Sequence, residues 1–376
     1  MNARGTSFHR DLDRPNGADM RILVINCGST TVKYQLFAAT GSSFPSLASG
    51  ALEIRKGYRS AVQGVLEELP QPPDAVAHRI VHGGDRLSDV AMIDVALLNQ
   101  LRELGALAPL HNGPALEGVE ATLGLGVPLV AAFDTAFHRT IPERAWRYAL
   151  PALASVRRYG FHGWSHRSVV ERYAELTGNP RPTLVTLHLG SGCSAAAIRS
   201  GESVDTSMGY TPLEGLVMGT RPGDLDPGIV PHLMAQGMSL ERVRRLLHHE
   251  SGLQGLAGTD DMRELLRRTD HAAVLAVEIF CYRVLKYVGA YLTVLGGAEA
   301  IVFTGGVGER SAEIRSRVCL GLGWLGVTLD EQANTSGAPC ISASSSPIGV
   351  YAIPAEEARV IAREAWVLLV RGRAPA

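Results

Sequence analysis

The sequence has no surplus of either charge. Its 36 Lys and Arg stand against 37 Asp and Glu, for a formal net charge of -1. Nothing in bulk therefore draws it to nucleic acid or to an anionic lipid surface. Cysteine is scarce: the five, at positions 27, 193, 281, 319 and 340, include no CxxC pair and are odd in number. That argues against a disulfide framework and for a reducing cytoplasm. No apolar run is long enough and clean enough to span a bilayer. The most apolar stretch, Ala272 to Leu295, is broken by Glu278, Arg283 and Lys286 and reads as a buried helix. Residues 1–19 lack the apolar centre of a secretory leader. They read as a disordered extension, with Met20 an alternative start. Three common signatures are also missing. There is no GxxxxGK[ST] loop and no GxGxxG with a following acidic ribose ligand, so neither a P-loop ATPase nor a Rossmann dehydrogenase is indicated. There is no HExxH or compact His/carboxylate cluster, so a zinc site is not expected.

What is present suits a globular α/β protein. Of 376 residues, 46 % are hydrophobic and 19 % charged, and the length favours two domains. Candidate strands are Arg21–Asn26, Asp74–Val81, Pro128–Phe133, Thr183–Leu189, Cys193–Ile198, Ala300–Thr304 and Val350–Ile353. Several are apolar along nearly their whole length, as in sheets covered on both faces. Ser60–Leu69 and Asp270–Leu295 carry helical spacing. In the second, Val274, Val277, Cys281, Leu285 and Val288 fall three or four apart. The alternation predicts α/β layers. There is also a trace of duplication: residues 22–29 read ILVINCGS and residues 184–191 read LVTLHLGS, about 160 residues on. Two such units suggest two similar halves around a cleft.

Gly-rich turns follow three of the strands. They are Gly28 to Thr31, leading to Lys33; Gly190 to Gly192; and Gly305 to Gly308. Glycine lets backbone N–H groups approach an anion, and Ser or Thr hydroxyls add donors. One such turn is as readily a plain strand–helix connection; three together favour phosphate binding. HRIVHGG (78–84), FDTAFHRT (133–140) and RRYGFHGWSH (157–166) place charged groups after apolar runs, where ligands of parallel sheets sit. Lone histidines are usually structural, and that is the ordinary reading of His78, His138 and His166. The segment DTSMGYTPLEGLVMGTRPGDLDP (205–227) is long, Gly-rich and without period, which marks a functional loop.

Taken in order, VINCGSTTVK, AHRIVHGG, LAPLHN, FDTAFH, RRYGFHGWSH, HLGSG, the 205–227 segment, TGGVGE and IPAEE resemble the acetate kinase family. That family lies within the actin-like superfamily of sugar kinases, actin and heat-shock chaperone ATPases. The resemblance spans residues 21 to 366. It implies an α/β fold of two actin-like (ribonuclease H-like) domains flanking a nucleotide-binding cleft, assembled as a homodimer. The implied boundaries are 20–140 plus 358–376 for the N-terminal, acid- and phosphate-side domain. Residues 141–357 would form the C-terminal domain, which binds nucleotide and dimerises. The implied reaction is reversible, in-line transfer of the ATP γ-phosphoryl group to acetate, with Mg2+ (or Mn2+). Propionate or butyrate kinase and a non-catalytic actin-like nucleotide-binding protein are the alternatives.

Carried over by position, the resemblance implies that Asn26 and Glu357 hold the metal. Ser29, Thr31 and Lys33 line the phosphate site. Arg79 and Arg221 hold the acid and the transferring phosphoryl group, Asp134 is the active-site carboxylate, and His162 hydrogen-bonds the phosphoryl group. His188, Leu189, Gly190, Ser191 and Gly192 form the second loop. Asp261, Met262 and Arg263 contact the nucleoside, and Gly306, Val307, Gly308, Glu309 and Arg310 form the third loop. Val81, Leu110, Phe161 and Pro212 line the pocket for the acyl methyl. The sequence departs from the family at Ser191 (usually Asn), Trp164 (usually Thr) and Arg310 (usually Asn). The metal carboxylate is either Glu356 or Glu357, with Glu357 preferred, and Trp164 either narrows the acid pocket or packs behind it. A carboxylic acid of pKa about 4–5 is already ionised at neutral pH and needs no general base. It needs relief from repulsion as two anions meet. Asp134 is thus expected to organise the metal or an arginine, not to accept a proton.

Overall fold

A computed structural model describes residues 19–28, 30–84, 90–107, 109–151 and 156–371. The chain divides into two compact units, one running to Ala136 and resuming at Glu357, the other spanning Phe137–Glu356.

The first unit is built on a six-stranded sheet. Its strands are β1 (Met20–Cys27), β2 (Thr31–Ala39), β3 (Ser46–Glu53), β4 (Ala75–Ile80), β5 (Val90–Met92) and β6 (Leu129–Phe133), in the order β3-β2-β1-β4-β6-β5. The first three form an antiparallel meander, β4 and β6 run parallel to β1, and β5 is an antiparallel edge. Helix α1 (Tyr58–Glu68) follows β3, and α2 (Val95–Leu107) and α3 (Pro109–Thr122) lie between β5 and β6. Leu23 and Ile25 of β1 pack with Val62 and Val65 of α1, while the chain's last helix, Glu357–Arg371, also packs on β1 and β2. Each buried Val or Leu contributes about 1.5–3 kcal/mol. Cover on both faces is why β1 is apolar nearly throughout.

The second unit holds β7 (Leu184–Leu189), β8 (Cys193–Arg199), β9 (Glu202–Thr206), β10 (Ala300–Thr304) and β11 (Gly349–Ala352), in the order β11-β10-β7-β8-β9. Its helices are α4 (Glu143–Trp146), α5 (Gly163–Thr177), α6 (Ile229–Ala235), α7 (Leu240–His249), α8 (Gly252–Ala257), α9 (Met262–Leu265), α10 (His271–Leu295), α11 (Gly305–Arg310), α12 (Ala312–Leu320) and α13 (Glu331–Ser336). The last helix of the chain is then α14. In α10 the Asp270 side chain accepts from Ala273 N, and Gly296 closes the other end at φ 74°, both standard terminal chemistry.

The two sheets share one plan. Reading β3-β2-β1-β4-β6 against β9-β8-β7-β10-β11, each has an antiparallel meander followed by two parallel strands. Asn26 pairs with Lys33 across the first hairpin and His188 with Ser194 across its counterpart. The glycine turns after β1 and β7 are therefore hairpin turns, β1 to β2 and β7 to β8. Only the turn at Gly305 enters a helix, α11. Strands β2, β3, β5 and β9 are not among the candidates that apolar runs define. In β2 the signal is alternation instead: Val32, Tyr34 and Leu36 face inward while Lys33 is exposed.

Candidate active site

In the first unit, β1 and β4 bring their C-terminal ends side by side. Ile25 is level with His78, so one step on Asn26 meets Arg79, whose Nη1 donates to Asn26 Oδ1 at 3.2 Å. β6 ends beside them and delivers Asp134, 1 % exposed. Arg79 Nε donates to Asp134 Oδ1 at 2.8 Å and Nη2 donates to Oδ2. Glu357, the first residue of α14, places Oε2 3.7 Å from Arg79 Nε. Burial works against the Arg79 charge, but the carboxylates of Asp134 and Glu357 outweigh it and raise its pKa above the ordinary value. Glu356 is the last residue of the second unit, and its backbone N–H donates to Ser168 Oγ there. Thr31 and the exposed Lys33 follow the hairpin turn on β2. Ser29 lies outside the described residues, as does the side chain of Leu110 on α3; Val81 follows β4 and is partly buried.

In the second unit the chemistry gathers at the start of α5. His162 caps that helix at φ 56°, ψ 28°. It and Ser200 are the non-glycine residues with positive φ among those described, a conformation sparsely populated outside glycine. The backbone before it is held: His138 Nε2 donates to the Phe161 carbonyl at 3.1 Å, and His138 Nδ1 lies 2.8 Å from Ser203 Oγ. Gly160, at φ 74°, allows this. A Cβ there would fall 2.6 Å from His138 Cδ2. The His162 ring stacks on His188, centroids 4.2 Å apart, and its Nδ1 is 3.0 Å from Ser194 Oγ.

Arg221 completes this group. A Cβ on Gly192 would lie 2.8 Å from Arg221 Nη2 and 3.2 Å from His162 Nε2. The bare glycine thus leaves room where both nitrogens converge. Arg221 Nη1 donates to the Pro212 carbonyl at 2.8 Å, and no carboxylate pairs with it among the described residues. Burial lowers its pKa from the ordinary value, with Cys193 the opposing influence. The two arginines proposed from the sequence therefore differ: Arg79 is neutralised by carboxylates and Arg221 is not. A cation left uncompensated in a partly buried site is suited to an anionic ligand.

The glycine loops are tied together in the same unit. Gly305, at φ 75°, presses on β7 so closely that a Cβ would sit 2.7 Å from the Leu189 carbonyl oxygen. Leu189 itself is a core residue; Ser191 is exposed and its carbonyl accepts from Gly219 N. Glu309 Oε1 accepts from Thr304 Oγ1, Gly305 N and Ala355 N, so this carboxylate is a strut of the loop. Val307 is partly buried, Gly308 buried, and Gly306 and Arg310 are exposed. Asp261 and Arg263 bond each other at 2.6 Å on the surface, while Met262 between them is in the core. Phe161 and Pro212 are both buried. Trp164 is buried in α5, its indole N–H without a hydrogen-bond partner among the described residues, under the guanidinium of Arg167, which fits packing.

Sequence reasoning missed Arg315. It is 2 % exposed and donates to the carbonyls of Gly308, Glu309 and Asn334 and to Asn334 Oδ1. It thereby holds the C-terminal end of α11. Nothing in the run AEIRSRVCL distinguishes it from Arg317, which pairs with Glu313 on the surface.

The crystal structure of Porphyromonas gingivalis acetate kinase resembles this fold at TM-score 0.84 and 36 % identity, covering 93 % of this chain and all of that one. A propionate kinase from Francisella tularensis does so at TM-score 0.85 and 35 % identity, covering 92 % of this chain and 98 % of that one. The two-domain, actin-like fold shared with these kinases defines a phosphotransferase whose acceptor is a carboxyl group. The profile of the acetokinase family matches residues 59–363, and the chain belongs to that family. The acetate kinase of Micrococcus luteus is 45 % identical over 386 residues, covering 93 % of this chain and 99 % of its own. That of Chloroherpeton thalassium is 41 % identical over 420 residues, covering 94 % and 100 %. No helix among the described residues is long and apolar enough to cross a membrane.

Proposed function

We propose that the protein is an acetate kinase in which Arg221 and His162 receive the phosphoryl group and Arg79, held by Asp134, orders the acid side. A carboxylate oxygen of acetate attacks the γ-phosphorus of ATP. The bond from that phosphorus to the β–γ bridging oxygen breaks in line, and ADP leaves with the electron pair. The observation that carries the reading is Arg221, a partly buried cation with no carboxylate partner among the described residues, converging with His162 on Gly192. In phosphoryl transfer such an arginine is worth about 10³–10⁵ in rate. Acetate, not propionate, is supported by the curated relatives, which are named acetate kinase.

The family implies a divalent metal and ATP or ADP as co-substrate. The donors around Arg79 are an amide oxygen and two carboxylates, Asn26, Asp134 and Glu357. A donor set made of hard oxygens alone suits Mg2+ or Mn2+ better than zinc, which favours nitrogen and sulfur. Among the described residues no three His, Cys, Asp or Glu side chains form a closed cage. That suits an ion held by one or two side chains plus waters and phosphate oxygens. We assign Asn26 and Glu357 to it; when bound, the ion neutralises charge on the β- and γ-phosphates. The nucleotide falls to the second unit, with His188–Gly192 and Gly306–Arg310 as backbone cradles and Asp261–Arg263 near the nucleoside. The resemblance assigns Ser29, Thr31 and Lys33 to phosphate and Val81, Leu110, Phe161 and Pro212 to the acyl methyl. A homodimer is supported by the exposed apolar side chains of Leu225, Ile229, Met234 and Leu240 along and beside α6 and α7. A cytoplasmic setting is supported by cysteines that are all free.

The test is ADP formation from ATP and Mg2+ with acetate, propionate, butyrate or no acid. A pocket sized to a methyl loses about 1–3 kcal/mol per added methylene, so rates should fall in that order. Turnover indifferent to every acid would sink the reading.

A further inference from the structure

Ser194 stands between two histidines. Its Oγ is 3.0 Å from His162 Nδ1 and 2.8 Å from His166 Nε2, and His166 Nδ1 is in turn 2.8 Å from Thr186 Oγ1. The spacing comes from the fold: Thr186 and Ser194 lie on the paired strands β7 and β8, and His162 and His166 stand at the N-cap and first turn of α5. Ser194, His166 and Thr186 are each 0 % exposed, so solvent offers no substitute partner.

A hydroxyl carries one proton. Ser194 can donate to only one of the two rings, and a second hydrogen bond must be donated to it by the other. The tautomers of His162 and His166 are therefore tied together. Burial, reinforced by His138 and His188, holds the His166 pKa well below its ordinary value, so that ring has a single N–H to place. Thr186 sets the direction. Among the described residues its hydroxyl has no acceptor other than His166 Nδ1, and a buried donor left unmade costs more than an unused lone pair. Thr186 O–H then donates to His166 Nδ1, His166 Nε2–H donates to Ser194 Oγ, and Ser194 O–H donates to His162 Nδ1.

We infer that Thr186, His166 and Ser194 are positioning residues that lock His162 as its Nε2–H tautomer. Nε2 is the nitrogen that converges with Arg221 Nη2 at Gly192. The lock ensures that His162 presents an N–H to an anionic oxygen, where the other tautomer would present a lone pair and repel it. This rests on the reading of His162 as a partner of the phosphoryl group.

Neutron diffraction from crystals of the full chain exchanged into D2O near neutral pH reads the tautomers directly. Deuterium on Nε2 of both His162 and His166 is expected; deuterium on Nδ1 of either overturns the inference. In steady-state assays Ser194→Ala should lower kcat about tenfold while the KM values for acetate and ATP stay within about twofold. Thr186→Val should act likewise, and Thr186→Ser, which keeps the hydroxyl, should retain the parent kcat. A folded Ser194→Ala or Thr186→Val enzyme with the parent kcat would overturn the lock. Should Ser194→Ala fail to fold, the Thr186 pair decides. A parent protein with no acid-dependent turnover would remove the kinase reading instead, and the deuterium positions would still judge the tautomers.

Discussion

Arg79 and Asp134 meet fork to fork, Nε on Oδ1 and Nη2 on Oδ2. This two-point bond fixes both the position and the plane of the guanidinium. Its charge is also shared with Glu357, so the arginine is an aimed group more than a free cation. Asp134→Asn keeps the shape and removes the charge. We expect kcat to fall about 10²-fold or more, with a higher Mg2+ requirement and a pH–rate profile that scales down without losing a limb. A lost limb would make Asp134 a proton acceptor.

Arg221 behaves oppositely in stability and in function. Its pKa is pushed down by burial, so the folded state gains nothing electrostatic from it. Arg221→Met should therefore cost no more stability than the one hydrogen bond to the Pro212 carbonyl, about 1–3 kcal/mol, while kcat drops by about 10³ or more. A large loss of stability would show that the arginine is structural.

Arg315 should show the reverse pattern. Removing it strands buried acceptors on Gly308, Glu309 and Asn334, each costing about 1–3 kcal/mol. Arg315→Met is expected to lower unfolding stability by at least about 2 kcal/mol and to raise KM for ATP more than KM for acetate. Denaturant titration and steady-state kinetics check the two halves.

Buried histidines make stability pH-dependent. In the unfolded chain a histidine takes up a proton near 6.5, whereas burial holds His138 down to about 4 and His78 to about 3. His166 is also held well below the unfolded value. The native state therefore binds fewer protons below 6.5. Stability is full above that pH and is lost as pH falls toward 4, at about 1.4 kcal/mol per pH unit for each histidine. Urea unfolding at pH 7.5 and 5.5 should separate clearly; equal stabilities would show these rings protonated in the native state.

Met234 and Ile229 are 43 % and 38 % exposed, and α6 packs on α7. If this arm joins two copies, Met234→Glu should shift the mass seen in light scattering from dimer to monomer without lowering the melting temperature of the folded chain. A dimer that persists places the interface elsewhere.

Much of this was legible from residues alone. Ala300–Thr304 was found with its observed bounds because a strand buried on both faces is apolar at nearly every position, here all but its last. β3, reading SLASGALE, was invisible, since it is mostly exposed and has no run to detect. Arg79, Arg221 and Asp134 could be named from the motifs around them, but the unlike electrostatic states of the two arginines could not. Whether a guanidinium is paired depends on residues 55 positions away for Arg79 and on a backbone carbonyl for Arg221. Ser194 and Thr186 went unread because small hydroxyls in apolar strands carry no signal of their own.

The repeated sheet has a consequence for how the two halves can be compared. Lys33, Asn26 and Arg79 occupy three adjacent strands at one level, and Ser194, His188 and Thr304 occupy the matching coordinates in the other half. The same address thus appears twice, written once in cations and an amide and once in hydroxyls and an imidazole. Specialisation of the halves required no change of backbone plan, only different letters at shared addresses, and a grafting experiment has its three target positions defined by register alone.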